Sequence, residues 1–147
     1  MKQPPVITSS EPLPFFVYGT LRPGFRLYRG LEALIERHEP ARLPGFDLFI
    51  SGYPVVRVSD GRGRYVTGDL LWMTDHDAAL RRCDGIENYR PPYNTMYIRA
   101  AVLALRGEQP GIPVTAWVYM GGPRMGFYNR VESGDYLDVV RSEEARV

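Results

Sequence analysis

One cysteine, Cys83, stands in a chain of 147 residues, so no disulfide can close within it. That is compatible with a reducing cytoplasm, where the protein is expected to work. The two histidines, His38 and His76, lie far apart and share no ligand spacing with Cys83 or with each other, so no metal site is implied. Cys83 has no evident histidine partner, which argues against a thiol nucleophile. No apolar run is long enough to span a bilayer. The opening stretch MKQPPVITSSEPLP lacks the apolar segment of a signal peptide. The formal net charge is only +1, so no global field draws in nucleic acid or acidic membranes. Arg22, Arg26, Arg29, Arg81 and Arg82 are too scattered for an RNA-binding stripe and read as solvated faces. The G-x-x-x-x-G-K-[ST] spacing of a phosphate loop is missing. There is no internal repeat and no sign of a second domain.

What is present fits one globular unit. Hydrophobic residues make up 44% and charged residues 24%, a balance that builds one core rather than a disordered chain. Four prolines in the first fourteen residues predict a flexible leader over 1–12, a domain over 13–140 and a tail over 141–147. The aromatic and β-branched run 13–18 predicts a strand, and GTLRPG after it predicts a loop. Leu27, Leu31, Leu34 and Ile35 repeat at helical spacing, predicting a helix over 27–38, with His38 at its end. Strands are expected over 46–50, 53–58, 65–73, 96–105 and 114–120. A second helix is expected over 74–84, with Thr74 and Asp77 as a capping box and Asp84-Gly85 as its stop. Many short strands with two interspersed helices predict a mixed α/β (α+β) fold built on a small, strongly curved barrel.

Two stretches carry chemistry. In Tyr18-Gly19-Thr20-Leu21, a strand end runs into a glycine turn. A backbone without a Cβ admits a ligand closely, and successive N–H groups can converge on a carboxylate or an oxyanion. Read alone, the same residues also fit an ordinary turn. The second stretch runs from Leu80 to Tyr89 and on to Tyr97-Ile98-Arg99. Asp84 in it fits a plain Asp-Gly turn, and Glu87 fits a solvated surface carboxylate. Tyr97 and Arg99 fit a strand with the aromatic inside and the cation outside.

Phe16-Val17-Tyr18-Gly19-Thr20-Leu21 followed by Arg22-Pro23-Gly24 resembles the signature loop of the γ-glutamylcyclotransferase-like superfamily. That superfamily includes γ-glutamylamine cyclotransferases and plant avirulence-induced proteins. The helix closing in Asp84-Gly85, then Tyr97-x-Arg99 and a valine-rich run, resembles its second motif. Thr115-Ala116-Trp117-Val118-Tyr119 resembles its late strand, and Ser133-Gly134-Asp135-Tyr136 a segment expected to pack over the barrel. The resemblance implies a 5-oxoproline-releasing enzyme, of the amide-cleaving lyase or acyltransferase class, that needs no cofactor. The substrate would be a small γ-glutamyl compound whose own α-amine attacks the γ-carbonyl. Tyr18, Gly19, Thr20 and Leu21 would line the pocket, with Tyr97, Arg99 and Tyr119 as further substrate contacts. The family's catalytic glutamate falls, in this alignment, on Asp84, one methylene shorter. Three readings follow in order: Asp84 serves as the acid–base, Glu87 replaces it, or the barrel binds a small ligand without catalysis. Leaving-group selection would fall to residues 90–95.

Overall fold

The computed structural model describes residues 12–87, 89, 96–108 and 111–145. The expected leader up to residue 11 and the leaving-group loop at 90–95 lie outside the described residues. Five strands close a barrel: β1 (Phe15–Val17), β5 (Tyr65–Met73), β2 (Ile35–Pro44), β6 (Tyr97–Arg106) and β7 (Ile112–Gly121), in that spatial order. All pairings are antiparallel except the closing one, where Phe15 of β1 lies parallel to Trp117 of β7. A second, three-stranded sheet has the order β4 (Tyr53–Val58), β3 (Phe46–Ser51), β8 (Arg130–Val131). Three short helices complete the fold: α1 (Arg26–Leu31), α2 (His76–Ile86) and α3 (Tyr136–Ala145).

Alternation along the strands sorts the core into two. Phe16, Leu43, Val66, Leu70, Ala104, Ala116 and Val118 share one cluster, drawn from one face of every barrel strand and therefore filling the interior. Phe15, Val17, Leu71, Trp117 and Tyr119 point the other way and pack under α1 and α2 with Leu31, Ala79, Leu80 and Cys83. Both faces of β1 are thus buried, which is why the Phe-Phe-Val run shows no polar alternation. A barrel this narrow needs small residues opposite large ones. A Cβ on Gly68 would sit 2.2 Å from the Val17 carbonyl oxygen and 2.7 Å from Cζ of Phe16. The Phe16 ring therefore requires glycine at 68.

The strands expected at 53–58 and 65–73 form over those residues, and the others differ by a residue or two at their ends. The helix expected over 27–38 does not hold. It stops at Leu31, runs through one 3-10 turn (Glu32–Leu34), and the chain becomes β2. Pairing of β2 with β5 along nearly its whole length outweighs the local helical spacing. His38 is consequently a strand residue with its ring edge-on to Tyr28, not a helix cap. The second helix is also shifted. Asp75, not Thr74, caps it by accepting from the Ala78 N–H at 3.1 Å, while the Thr74 hydroxyl donates to the Leu34 carbonyl. Asp84 and Gly85 lie inside its last turn, and Glu87 is its C-cap. The third helix was not anticipated; Asp135 starts it by accepting from the Leu137 N–H, and it crosses position 141, where the tail was expected to begin.

Candidate active site

The end of β1 opens into a cavity of about 500 Å³, within the size range of small-molecule sites. One wall is the turn Tyr18-Gly19-Thr20-Leu21. Facing it are Tyr53 and Pro54 of β4, Ile86 and Glu87 at the end of α2, Met96 and Tyr97 at the start of β6, and Tyr119 of β7. Gly19 is required by β4: a Cβ there would sit 2.9 Å from Cγ of Pro54. The Tyr18 hydroxyl donates to the Tyr119 carbonyl at 2.6 Å and that of Tyr97 to the Pro54 carbonyl at 2.7 Å, so both rings are held as walls.

The turn is anchored by a residue that the sequence reading put on a solvated face. Arg22 is buried. Its Nε donates to Asp69 of β5 at 2.8 Å and its Nη1 to Asp135 at 2.9 Å, while its N–H closes the turn onto the Gly19 carbonyl. A guanidinium shared by two carboxylates suits a site that must stay rigid. The signal was present in two motifs, as Arg after Tyr-Gly-Thr-Leu and as Asp after Ser-Gly, but nothing in one dimension joined them.

The two candidate carboxylates separate cleanly. Asp84 does not line the cavity. Both its oxygens accept from Nη1 of Arg99, at 2.9 and 2.7 Å, and one also accepts from the Tyr119 hydroxyl at 2.5 Å. Arg99 in turn lies over the rings of Trp117 and Tyr89, 5.0 and 5.5 Å from their centroids. Of the residues expected to contact substrate, Arg99 therefore stands behind the wall, and Tyr119 offers its ring to the cavity but its hydroxyl to Asp84. Glu87 lies in the wall, half-buried, with its N–H satisfied by the Cys83 carbonyl. Loss of hydration pushes its carboxyl up from 4.5 to about 7. Burial first, and the Glu87 charge after it, hold the Tyr97 phenol protonated far above its ordinary range.

The remaining sequence candidates are structural. Cys83 is buried, and desolvation, with help from Glu87 and Asp84, pushes its thiol up to about 12. Nε2 of His76 accepts from the Trp117 indole at 3.0 Å. Among the described residues, no group of three or more His, Cys, Asp or Glu is placed to hold a metal, and no helix is long and apolar enough to cross a membrane. Sequence reasoning missed the contributions of Leu27, Tyr53, Pro54, Met96 and Met125 to the cavity, since they come from scattered parts of the chain with no shared motif.

A family model described as "Gamma-glutamyl cyclotransferase, AIG2-like" matches residues 15–138. The chain belongs to that family. Similar folds are found in YkqA from Bacillus subtilis (TM-score 0.68, 23% identity, 90% of this chain), an uncharacterised Pyrococcus horikoshii protein, PH0828 (0.64, 21%, 91%), and an AIG2-like protein from Mus musculus (0.60, 24%, 82%). The match spans 97% of the archaeal chain and 88% of the mouse chain, but only 42% of YkqA, so the chain spans less than half the length of that protein. No curated protein sequence matches the chain.

Proposed function

We propose that the protein is a γ-glutamyl cyclotransferase that converts a γ-glutamyl amide into 5-oxoproline and a free amine, with Glu87 as its acid–base group. One observation carries this reading: Glu87 is the carboxylate in the cavity wall, opposite the glycine turn, with its carboxyl pushed up to about 7. A group with that affinity for protons is half-ionised near neutral pH, the condition for taking a proton and returning it. The order of preference between the two acids is thereby reversed from the sequence reading. Asp84 is occupied by Arg99 and Tyr119, so its role is to position the end of α2 and the Tyr119 ring.

The chemistry needs no nucleophile from the protein. Glu87 accepts a proton from the substrate α-ammonium. The freed amine attacks the γ-carbonyl carbon, closing a five-membered ring, and the carbonyl π electrons move onto oxygen. Backbone N–H groups of the Tyr18–Leu21 turn stabilise that oxyanion. Protonated Glu87 then gives its proton to the leaving nitrogen and the C–N bond breaks with its electron pair on that nitrogen; the ring nitrogen surrenders its second proton to the carboxylate so regenerated, or to the departing amine, as the oxyanion collapses to the lactam. Holding the γ-glutamyl chain curled against the turn supplies the largest share of the barrier reduction. The buried thiol of Cys83 is compatible with a reducing, cytoplasmic setting. The test is release of 5-oxoproline from γ-glutamyl amides, followed by mass spectrometry, in wild type beside Glu87→Gln and Asp84→Asn. Loss in Glu87→Gln with retained fold supports the reading. Full activity in Glu87→Gln overturns it, and a barrel that only binds such compounds becomes the better account.

A further inference from the structure

The mouth of the cavity has a chemistry of its own. Leu27, Tyr53, Ile86 and Met96 all line it while remaining 38%, 73%, 37% and 53% exposed. Scattered exposed apolar side chains are ordinary. Here four of the nine large hydrophobic side chains exposed among the described residues ring a single opening, which marks a binding rim. They come from four places in the chain: α1, β4, the end of α2 and the approach to β6. No Lys or Arg lines the cavity among the described residues, and its one charged side chain there is Glu87.

We propose that this rim receives the leaving amine, and that the preferred substrates are γ-glutamyl amides of uncharged, apolar amines, of isopentyl to phenethyl size, rather than γ-glutamyl amino acids or γ-glutamyl-lysine. The inference rests on the cyclotransferase reading, which puts the γ-glutamyl group against the glycine turn and leaves the amide nitrogen pointing outward past Glu87. A leaving amino acid would bring its carboxylate beside Glu87 with no cation among the described lining residues to offset the repulsion. A leaving lysine would bring a charged head group onto four apolar side chains that cannot hydrate it. An alkyl or aryl chain, by contrast, is desolvated by the same four groups, and each buried methylene favours binding.

The experiment compares γ-glutamyl-methylamide, γ-glutamyl-isopentylamide, γ-glutamyl-phenethylamide, γ-glutamyl-glutamate and ε-(γ-glutamyl)lysine on the full chain. Turnover gives kcat/KM, and titration calorimetry with Glu87→Gln gives affinities without turnover. The isopentyl and phenethyl amides should exceed the methyl amide by about tenfold or more in kcat/KM, as pocket discrimination of added methylenes allows. They should exceed the two charged compounds by more. Met96→Lys should erase the advantage over γ-glutamyl-glutamate. Equal values across the panel, or a lead for either charged compound, overturn the preference. If nothing is turned over but the apolar amides still bind tightest, the reaction reading fails and the rim assignment stands. If turnover occurs without chain-length dependence, the rim assignment fails alone.

Discussion

Asp84 and Glu87 sit three residues apart at the end of one helix, yet their surroundings differ in every respect that matters for chemistry. Asp84 is saturated: a guanidinium spans both oxygens and a phenol donates to one of them. Glu87 faces a cavity whose walls are mostly rings and aliphatic chains, and burial alone accounts for the rise of its carboxyl to about 7. A carboxylate that is fully hydrogen-bonded holds structure. One stripped of water and left without a cation holds its proton readily. The helix places both on adjacent positions of one face, since i and i+3 are neighbours there. Which one does chemistry is decided by the partners across the gap.

The largest separation between them should come from Glu87→Gln. As the proposed acid–base group, Glu87 should be worth ~10²–10⁴-fold in kcat/KM. Its effect on stability should have the opposite sign from a usual active-site loss. The folded-state carboxyl has a higher proton affinity than the unfolded one, so the native state holds the extra proton between 4.5 and about 7. Native stability therefore falls as pH rises through that window, and the penalty is complete above it. Glu87→Gln removes the penalty: thermal melts should show the variant more stable than wild type at pH 8 and equal to it at pH 4. A variant less stable at pH 8 would mean that Glu87 is structural like its neighbour.

The pH profile comes next. In free enzyme the base must be ionised, so kcat/KM should rise about tenfold per unit on the acid side and level near 7. Asp84→Asn should leave that inflection in place while lowering the plateau. An inflection that moved with Asp84→Asn would transfer the titrating role to the saturated carboxylate.

Asp84→Ala is the stability counterpart. It leaves Arg99, whose side chain is only 20% exposed, without its anion. The cost should fall between that of an exposed pair and a fully buried one, about 2–3 kcal/mol. For a chain of this size that corresponds to a fall in Tm of roughly 6–10 °C. Glu87→Ala, by contrast, should not lower Tm at neutral pH. Melts of the two variants side by side check the contrast directly.

These contrasts also mark where the sequence could be read and where it could not. The strands at 53–58 and 65–73 were legible because alternation and turn residues agree there, and the barrel followed from the number and shortness of such runs. The helix at 27–38 was misread because Leu31, Leu34 and Ile35 satisfy a helical period, whereas they reach the same core from three settings, Leu31 from α1, Leu34 from the 3-10 turn and Ile35 from β2. Only the distant β5 partner, Met73 opposite Ile35, decides between them. Arg22 looked solvated for the same reason, its two acceptors being Asp69 and Asp135. The glycine turn was legible as a cavity wall because its pattern is local. Glu87 stood second to Asp84 in the sequence, because Asp-Gly signals a turn in isolation, whereas here Gly85 continues the helix and carries the next carboxylate one turn further on, into the cavity wall.

The smallest effect is the most discriminating. The Tyr119 ring lines the cavity while its hydroxyl is given to Asp84. Tyr119→Phe keeps the wall and removes only that hydrogen bond, for a loss of about 1–2 kcal/mol in stability, since the acceptor is charged but keeps Arg99. Turnover should stay within about threefold, because in this scheme no proton passes through Asp84. A fall of a hundredfold in kcat with KM unchanged would mean that the phenol and Asp84 act on the transition state. The two carboxylates would then be one proton relay, and the division between a structural and a chemical acid would have to be given up.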